Sequence, residues 1–276
     1  MTDDQEAGRP LHVAAPLWPW EPVCERVAET GRVVVYTTWG EWLSAVLLTP
    51  ELRRLLGPDW PRYRQNPAQE GKLRFAVSRL VMKFTAAAAL QVRPEDLDLA
   101  YQPGGRPQLR GLGAELELSL SHSDELIVVG VSRTGPIGVD TEPVDRRISF
   151  ELLREHTCTP EEARVLAELP EDERAAWLLR LWTLKEAYTK ALGHGLRRRF
   201  GAFGFRRAGG AVELAEDSPF AHEWEFATHV VQGRYLVTEA HRRTGGVRGA
   251  FGAVSAPQEQ EGPALGRVLD FPGNRR

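Results

Sequence analysis

Two spacings of apolar residues divide this chain. A period of two runs through Glu115-Leu116-Glu117-Leu118-Ser119-Leu120 and predicts a strand whose three leucines share the buried face. The polar run Ser121-His122-Ser123-Asp124 follows, and Leu126 to Val131, apolar almost throughout, reads as a central strand. Arg32 to Thr38 and Ile137 to Thr141 read as further strands. The second is introduced by the turn Thr134-Gly135-Pro136 and closed by Pro143, which cannot donate to a ladder. A helical period sets Leu73, Val77, Leu80, Val81 and Phe84 on one face of a long helix from about Gly71 to Leu90, after a shorter helix around Glu41 to Leu48. Helices are expected again within 149–168, where Thr159 is an N-cap with Pro160 at the first helical position, and over 171–192. Strands near 200–206, 211–214, 222–230 and 234–240 complete a plan in which helix-then-hairpin recurs. Residues 1–30, rich in Pro and Trp, read as an irregular arm packed by Trp18 and Trp20, and residues 255–276 as a disordered tail.

The last long helix sorts its side chains unusually. At roughly 100° per residue, Trp182, Lys185, Glu186, Thr189 and Lys190 share one arc, opposite Leu184, Ala187, Tyr188 and Ala191. Glu186 and Lys190 also satisfy an ordinary i, i+4 helix pair. Of 35 Lys+Arg residues, however, the only lysines are Lys72, Lys83, Lys185 and Lys190, so half of them lie on this one helix. Lysine is a compact point charge where arginine is a flat fork, and a phosphate oxygen is one obvious partner for it.

Strand alternation puts Asp140 and Glu142 on one side of their strand and Thr141 on the other. Two adjacent carboxylates call for a cation or a raised pKa, unless both are simply solvated at a strand end. A small set of hard oxygen donors suits Mg²⁺, which keeps several waters and shares itself with substrate phosphates. Ser121 and His122 at the neighbouring strand end could grip an anion or form a turn. With Asp124 they do not make a hydrolase triad, because near-consecutive residues cannot reach the relay geometry.

Composition narrows the classes. At 276 residues and 42% hydrophobic content the chain can bury a substantial core. A net charge of −3, with no basic stripe and no zinc spacing, gives no case for nucleic acid. Cys24 and Cys158 are too few for a disulfide framework, which favours a reducing cytoplasm. The acidic start Met1-Thr2-Asp3-Asp4-Gln5-Glu6 is unlike a signal peptide, and no apolar run is long enough to span a bilayer, so no membrane partner is expected.

Taken in order, Gly105-Arg106-Pro107, Ser119-Leu120-Ser121-His122-Ser123, Ile137-Gly138-Val139-Asp140-Thr141-Glu142 and Trp182 through Lys190 resemble the motifs of the 4′-phosphopantetheinyl transferases, in the large monomeric Sfp form. The likeness spans about residues 60 to 240. Ser119 stands where the family usually has Asn, and Arg106 where many members have Lys. The resemblance implies an α+β fold of two similar halves, 31–135 and 136–254. Each half would pack a long helix on a small, mainly antiparallel sheet, with the active site in the cleft between them. It implies transfer of the phosphopantetheine arm of coenzyme A to a serine of an acyl or peptidyl carrier protein. Asp140, Glu142 and Glu186 would hold Mg²⁺, and Glu186, Lys190 and Lys185 would be catalytic. Arg62, Arg64, Arg74, Arg106, Ser121 and His122 would contact coenzyme A together with the two lysines. Arg197-Arg198-Arg199 with Arg206-Arg207 could steer an acidic carrier helix by charge. The alternative is a homologue that binds coenzyme A or a carrier protein without catalysis.

Overall fold

A computed structural model describes residues 8–146, 149–193, 199–208, 211–215 and 221–243. The first half is built on a sheet of β1 (Leu11–His12), β2 (Arg32–Thr38), β6 (Leu126–Ser132) and β5 (Glu117–Ser123), in the order β1-β2-β6-β5. β1 lies parallel to β2, and the other pairs are antiparallel. Every residue of β6 is buried, which is why its sequence lacks polar alternation.

Across this sheet lies the long helix α5 (Gln69–Leu90), buried without a break from Ala76 to Ala89. It is enclosed on its other sides by α1 (Glu21–Thr30), α2 (Leu43–Leu48), α3 (Leu52–Leu56) and α4 (Trp60–Gln65). The ten residues of α1 correct the expectation of an irregular arm over 1–30. Val23 and Val27, one helical turn apart, give that segment a face to bury against α5. Trp20 is a core residue, whereas Trp18 is 38% exposed. The short hairpin of β3 (Asp98–Tyr101) and β4 (Pro107–Arg110), also unforeseen, places Arg106 at the foot of β4.

In the second half, β7 (Ile137–Pro143), β11 (Tyr235–Arg242) and β10 (Trp224–Val231) form an antiparallel sheet in the order β10-β11-β7. Two short helices, α6 (Phe150–Thr157) and α7 (Pro160–Glu168), precede the long helix α8 (Glu171–Ala191), which packs across the sheet. The expected cap of α7 forms as a full capping box between Thr159 and Glu162. A hairpin of β8 (Phe205–Ala208) and β9 (Ala211–Leu214) flanks it. The architecture is α+β. The proposed tail and Arg197–Arg198 lie outside the described residues. No helix among the described residues is long and apolar enough to cross a membrane.

The halves meet along β5 and β7. These strands share no backbone ladder; serine hydroxyls bridge them instead. Ser119 Oγ accepts from Val139 N–H at 3.0 Å, Ser121 Oγ donates to Asp140 at 2.9 Å, and Ser123 Oγ to Glu142 at 3.4 Å. Behind this seam, Val34, Leu126 and Val128 of the first half pack with Ile137, Val139, Tyr235 and Val237 of the second. Arg32 reaches across to Glu239 and Glu225, both at 2.7 Å.

Candidate active site

A close approach of helix to strand positions the site. At Gly138 a Cβ atom would lie 1.9 Å from the Ala187 carbonyl oxygen and 2.6 Å from Ala191 N, so only glycine lets α8 settle onto β7. That contact sets Glu186 and Lys190 beside Asp140 and Glu142, which alternation along β7 turns to the same side.

Asp140 is buried. Its Oδ1 accepts from Ser121 Oγ and, at 2.7 Å, from Lys190 Nζ, while Oδ2 is buried with no hydrogen-bond partner. The Lys190 ammonium spends its three protons on Asp140, Ser121 Oγ at 2.9 Å and the Val139 carbonyl at 3.1 Å. Glu142 accepts from Trp182 Nε1 at 3.2 Å and from Arg146 on one oxygen, and from Ser123 on the other. Burial pushes the Glu142 carboxyl up; the Arg146 charge opposes that rise, and Asp140 adds to it. Glu186 is pushed up to about 7, first by burial and then by the charge of Asp140, with Glu142 adding and Lys190 and Arg146 opposing. The three acids therefore share one electrostatic site.

Among the described residues, no three acidic, His or Cys side chains are already drawn together as a metal cage. Asp140 and Glu142 are turned instead to internal cations, Lys190 and Arg146. The donor chemistry nonetheless fits a hard divalent ion. It offers carboxylate oxygens alone, one of them buried and unpartnered, and a third acid whose ionisation the other two oppose.

Lys185 departs from the sequence expectation. Its side chain is fully buried and bonds Glu162 at 2.6 Å and the carbonyls of Thr157, Phe200 and Phe203 at 2.7, 2.9 and 2.9 Å. It points into the packing of α6, α7 and the following turn, so it touches neither coenzyme A nor the reacting atoms. The shared arc on a helical wheel misled because burial here is decided by what surrounds α8 on several sides, not by one water-facing side.

The anion-binding candidates separate. Arg74 and His122 line a pocket of about 310 Å³ together with Arg79, Ser78, Phe75 and Trp39. Burial and the charges of Lys190, Arg79 and Arg74 push His122 down. Arg62 stands next to this pocket, its guanidinium 4.9 Å from the Tyr101 ring centre and 5.6 Å from that of Phe75. Arg64 is exposed on α4, with no charged partner among the described residues. Arg106 is not in the pocket: it donates to the Ala191 carbonyl at the end of α8 and to Glu117 at the start of β5, fastening the halves together.

Sequence reasoning passed over Arg79 and Arg146, and took Ser119 and Ser123 only as parts of a motif, with no role in the site. Arg79 was visible as a charge inside the otherwise apolar stretch of α5. It is 9% exposed, held by Asp59 at 3.3 Å and stacked 4.3 Å from the Phe75 ring centre. Ser119, Ser121 and Ser123 were visible as a period of two.

Comparison with known proteins agrees with this geometry. The family model described as the 4′-phosphopantetheinyl transferase superfamily matches residues 136–240, the segment that carries β7, α8 and β11. The 4′-phosphopantetheinyl transferase HetI of Nostoc is 32% identical over 158 residues, covering 56% of this chain and 63% of that protein. An L-aminoadipate-semialdehyde dehydrogenase-phosphopantetheinyl transferase of Eremothecium gossypii is 33% identical over 150 residues, 52% of this chain and 53% of its own length. The 4′-phosphopantetheinyl transferase Sfp of Bacillus subtilis is 25% identical over 172 residues, 61% and 75% respectively. The match spans less than two thirds of the Nostoc and Eremothecium proteins. The similarity to 4′-phosphopantetheinyl transferases is thus centred on the strand and helix that carry the acids.

Proposed function

We propose that this chain, as a two-half Sfp-type enzyme, transfers the 4′-phosphopantetheine group of coenzyme A to a serine of an acyl or peptidyl carrier protein. Adenosine 3′,5′-bisphosphate leaves. The observation that carries this reading is the convergence of Asp140 and Glu142 from β7 with Glu186 and Lys190 from α8.

The serine oxygen forms a bond to the phosphorus that bears the pantetheine arm, and the bond from that phosphorus to the bridging oxygen of the adenosine portion breaks. No nucleophile is needed from the enzyme, so positioning and charge stabilisation account for the catalysis. Mg²⁺, held by Asp140, Glu142 and Glu186, would supply Lewis acidity at the diphosphate. Glu186, set beside Asp140 and Glu142, is the carboxylate that takes the serine proton. Lys190, fixed by three acceptors, offsets the negative charge that develops on the departing phosphate. Arg74 and Arg79 supply the positive charge of a pocket for the 3′-phosphate end of coenzyme A, with the His122 ring and Asp124 also in its wall and Arg62 at its border. In this reading the halves are 31–135 and 136–254, and the enzyme works as a cytoplasmic monomer.

The test is the mass of an apo carrier protein after incubation with the chain, coenzyme A and Mg²⁺. Gain of one phosphopantetheine on serine is expected. Coenzyme A bound without transfer would instead identify a non-catalytic binder.

A further inference from the structure

Two of the three acids already hold a cation belonging to the chain, and the two cations are held differently. Lys190 is caged by a carboxylate, a hydroxyl and a backbone carbonyl. Arg146 lies just past the end of β7, about a quarter exposed, and its side chain has one polar partner among the described residues, Glu142 Oε1. Its guanidinium carbon is 5.5 Å from the centre of the Trp182 ring, whose Nε1–H donates to that same Oε1. Removing Lys190 would strand three acceptors. Arg146 can leave Glu142 and return to water without stranding a group in the core.

A carboxylate oxygen that accepts from both a guanidinium and an indole has its lone pairs engaged. A divalent cation on that oxygen would meet the Arg146 charge at close range, where repulsion is strong. We propose that Arg146 is a placeholder for the divalent cation at Glu142: guanidinium and metal take the same oxygen in turn, and the freed guanidinium becomes a binding charge for the diphosphate-bearing cosubstrate. This rests on the reading of Asp140, Glu142 and Glu186 as the metal's ligands. It makes metal binding weak alone and stronger once an anionic cosubstrate is present to receive Arg146, a coupling that must run equally in both directions.

Calorimetric titration of the full chain with Mg²⁺, alone and with coenzyme A present, tests this without any carrier protein. Arg146→Gln is expected to bind Mg²⁺ alone roughly two- to fivefold more tightly than the parent, the range a partly exposed ion pair can supply. The enhancement of Mg²⁺ affinity by coenzyme A should shrink in the same variant. Trp182 provides a separate readout, since Mg²⁺ should alter its fluorescence at lower concentration in Arg146→Gln than in the parent. Arg146→Lys, which keeps the charge and loses the fork, should fall between them. Parent-like Mg²⁺ affinity and coupling in Arg146→Gln would overturn the placeholder and leave the acid assignment standing. Failure of the parent to bind Mg²⁺ under either condition would overturn both.

Discussion

Lys83 and Lys185 are counterparts. Lys83 lies fourteen residues after the first residue of α5, and Lys185 fourteen after the first residue of α8. Each is buried, and each donates at 2.7 Å to the carbonyl of the residue 28 positions earlier, Leu55 and Thr157, near the end of a short preceding helix. The second lysine is the more heavily bound: Lys185 also meets a carboxylate and two more carbonyls, whereas Lys83 has the single bond.

That asymmetry predicts unequal losses. Lys185→Met leaves Glu162 buried without its charge partner and should cost about 3–5 kcal/mol. Lys83→Met removes one carbonyl partner and should cost about 1–2 kcal/mol. Urea unfolding of both variants checks the order; equal losses would refute it.

Gly138→Ala should be far worse than its size suggests, because the added methyl meets helix backbone rather than a movable side chain. We expect little folded protein, or α8 displaced and transfer lost. Gly130→Ala, whose nearest neighbours would be side-chain atoms of Val139 and Ile137 rather than backbone, should be milder. Soluble yield and denaturation midpoints distinguish the two.

Lys190→Arg should lower kcat/KM for transfer by about a hundredfold, because a planar fork cannot satisfy three acceptors arranged around one nitrogen. Single-turnover kinetics with saturating coenzyme A would show the loss in the chemical step.

His241 supplies a pH dependence. It is fully buried, bonded through Nε2 to Ser132 and Thr134, and pushed down to about 3 by burial first and then by Arg32 and Arg243. The unfolded chain therefore binds this proton more readily than the folded one. Its contribution is complete above the unfolded value near 6.5 and is lost as pH falls towards 3. Through this group alone the fold should be about 2 kcal/mol less stable at pH 5 than at pH 7. Chemical denaturation of the parent and His241→Gln at both values should show a flatter pH slope in the variant.

Arg79→Gln should raise the KM for coenzyme A about tenfold with kcat nearly unchanged, if the pocket it shares with Arg74 and His122 binds the cosubstrate rather than the reacting atoms. Equal losses in kcat and kcat/KM would move Arg79 to the reaction centre instead.

Strands were legible where apolar residues alternated or ran unbroken, as in β5 and β6, and the expected bounds of β2 match those observed. Helix α1 was not, because two valines among acids and prolines make a weak pattern until α5 is there to cover them. The acids of β7 were readable from strand alternation, yet their partners were not: Ser121, Ser123, Trp182 and Arg146 reach them from other segments or across a turn. Scarcity of lysine did mark special positions. At two of them the reason is structural, since Lys83 and Lys185 serve as compact heads for buried carbonyls.

The hydroxyl seam between β5 and β7 also bears on how the chain can be divided. A fragment beginning near residue 136 would keep all three acids and lose the serines that bond Val139, Asp140 and Glu142. It would also open Ile137 and Val139 to water on the side where Leu126 and Val128 now cover them. The stretch that carries the chemistry is thus not a portable module; its other half works as its inner wall, and a graft would have to bring that wall along.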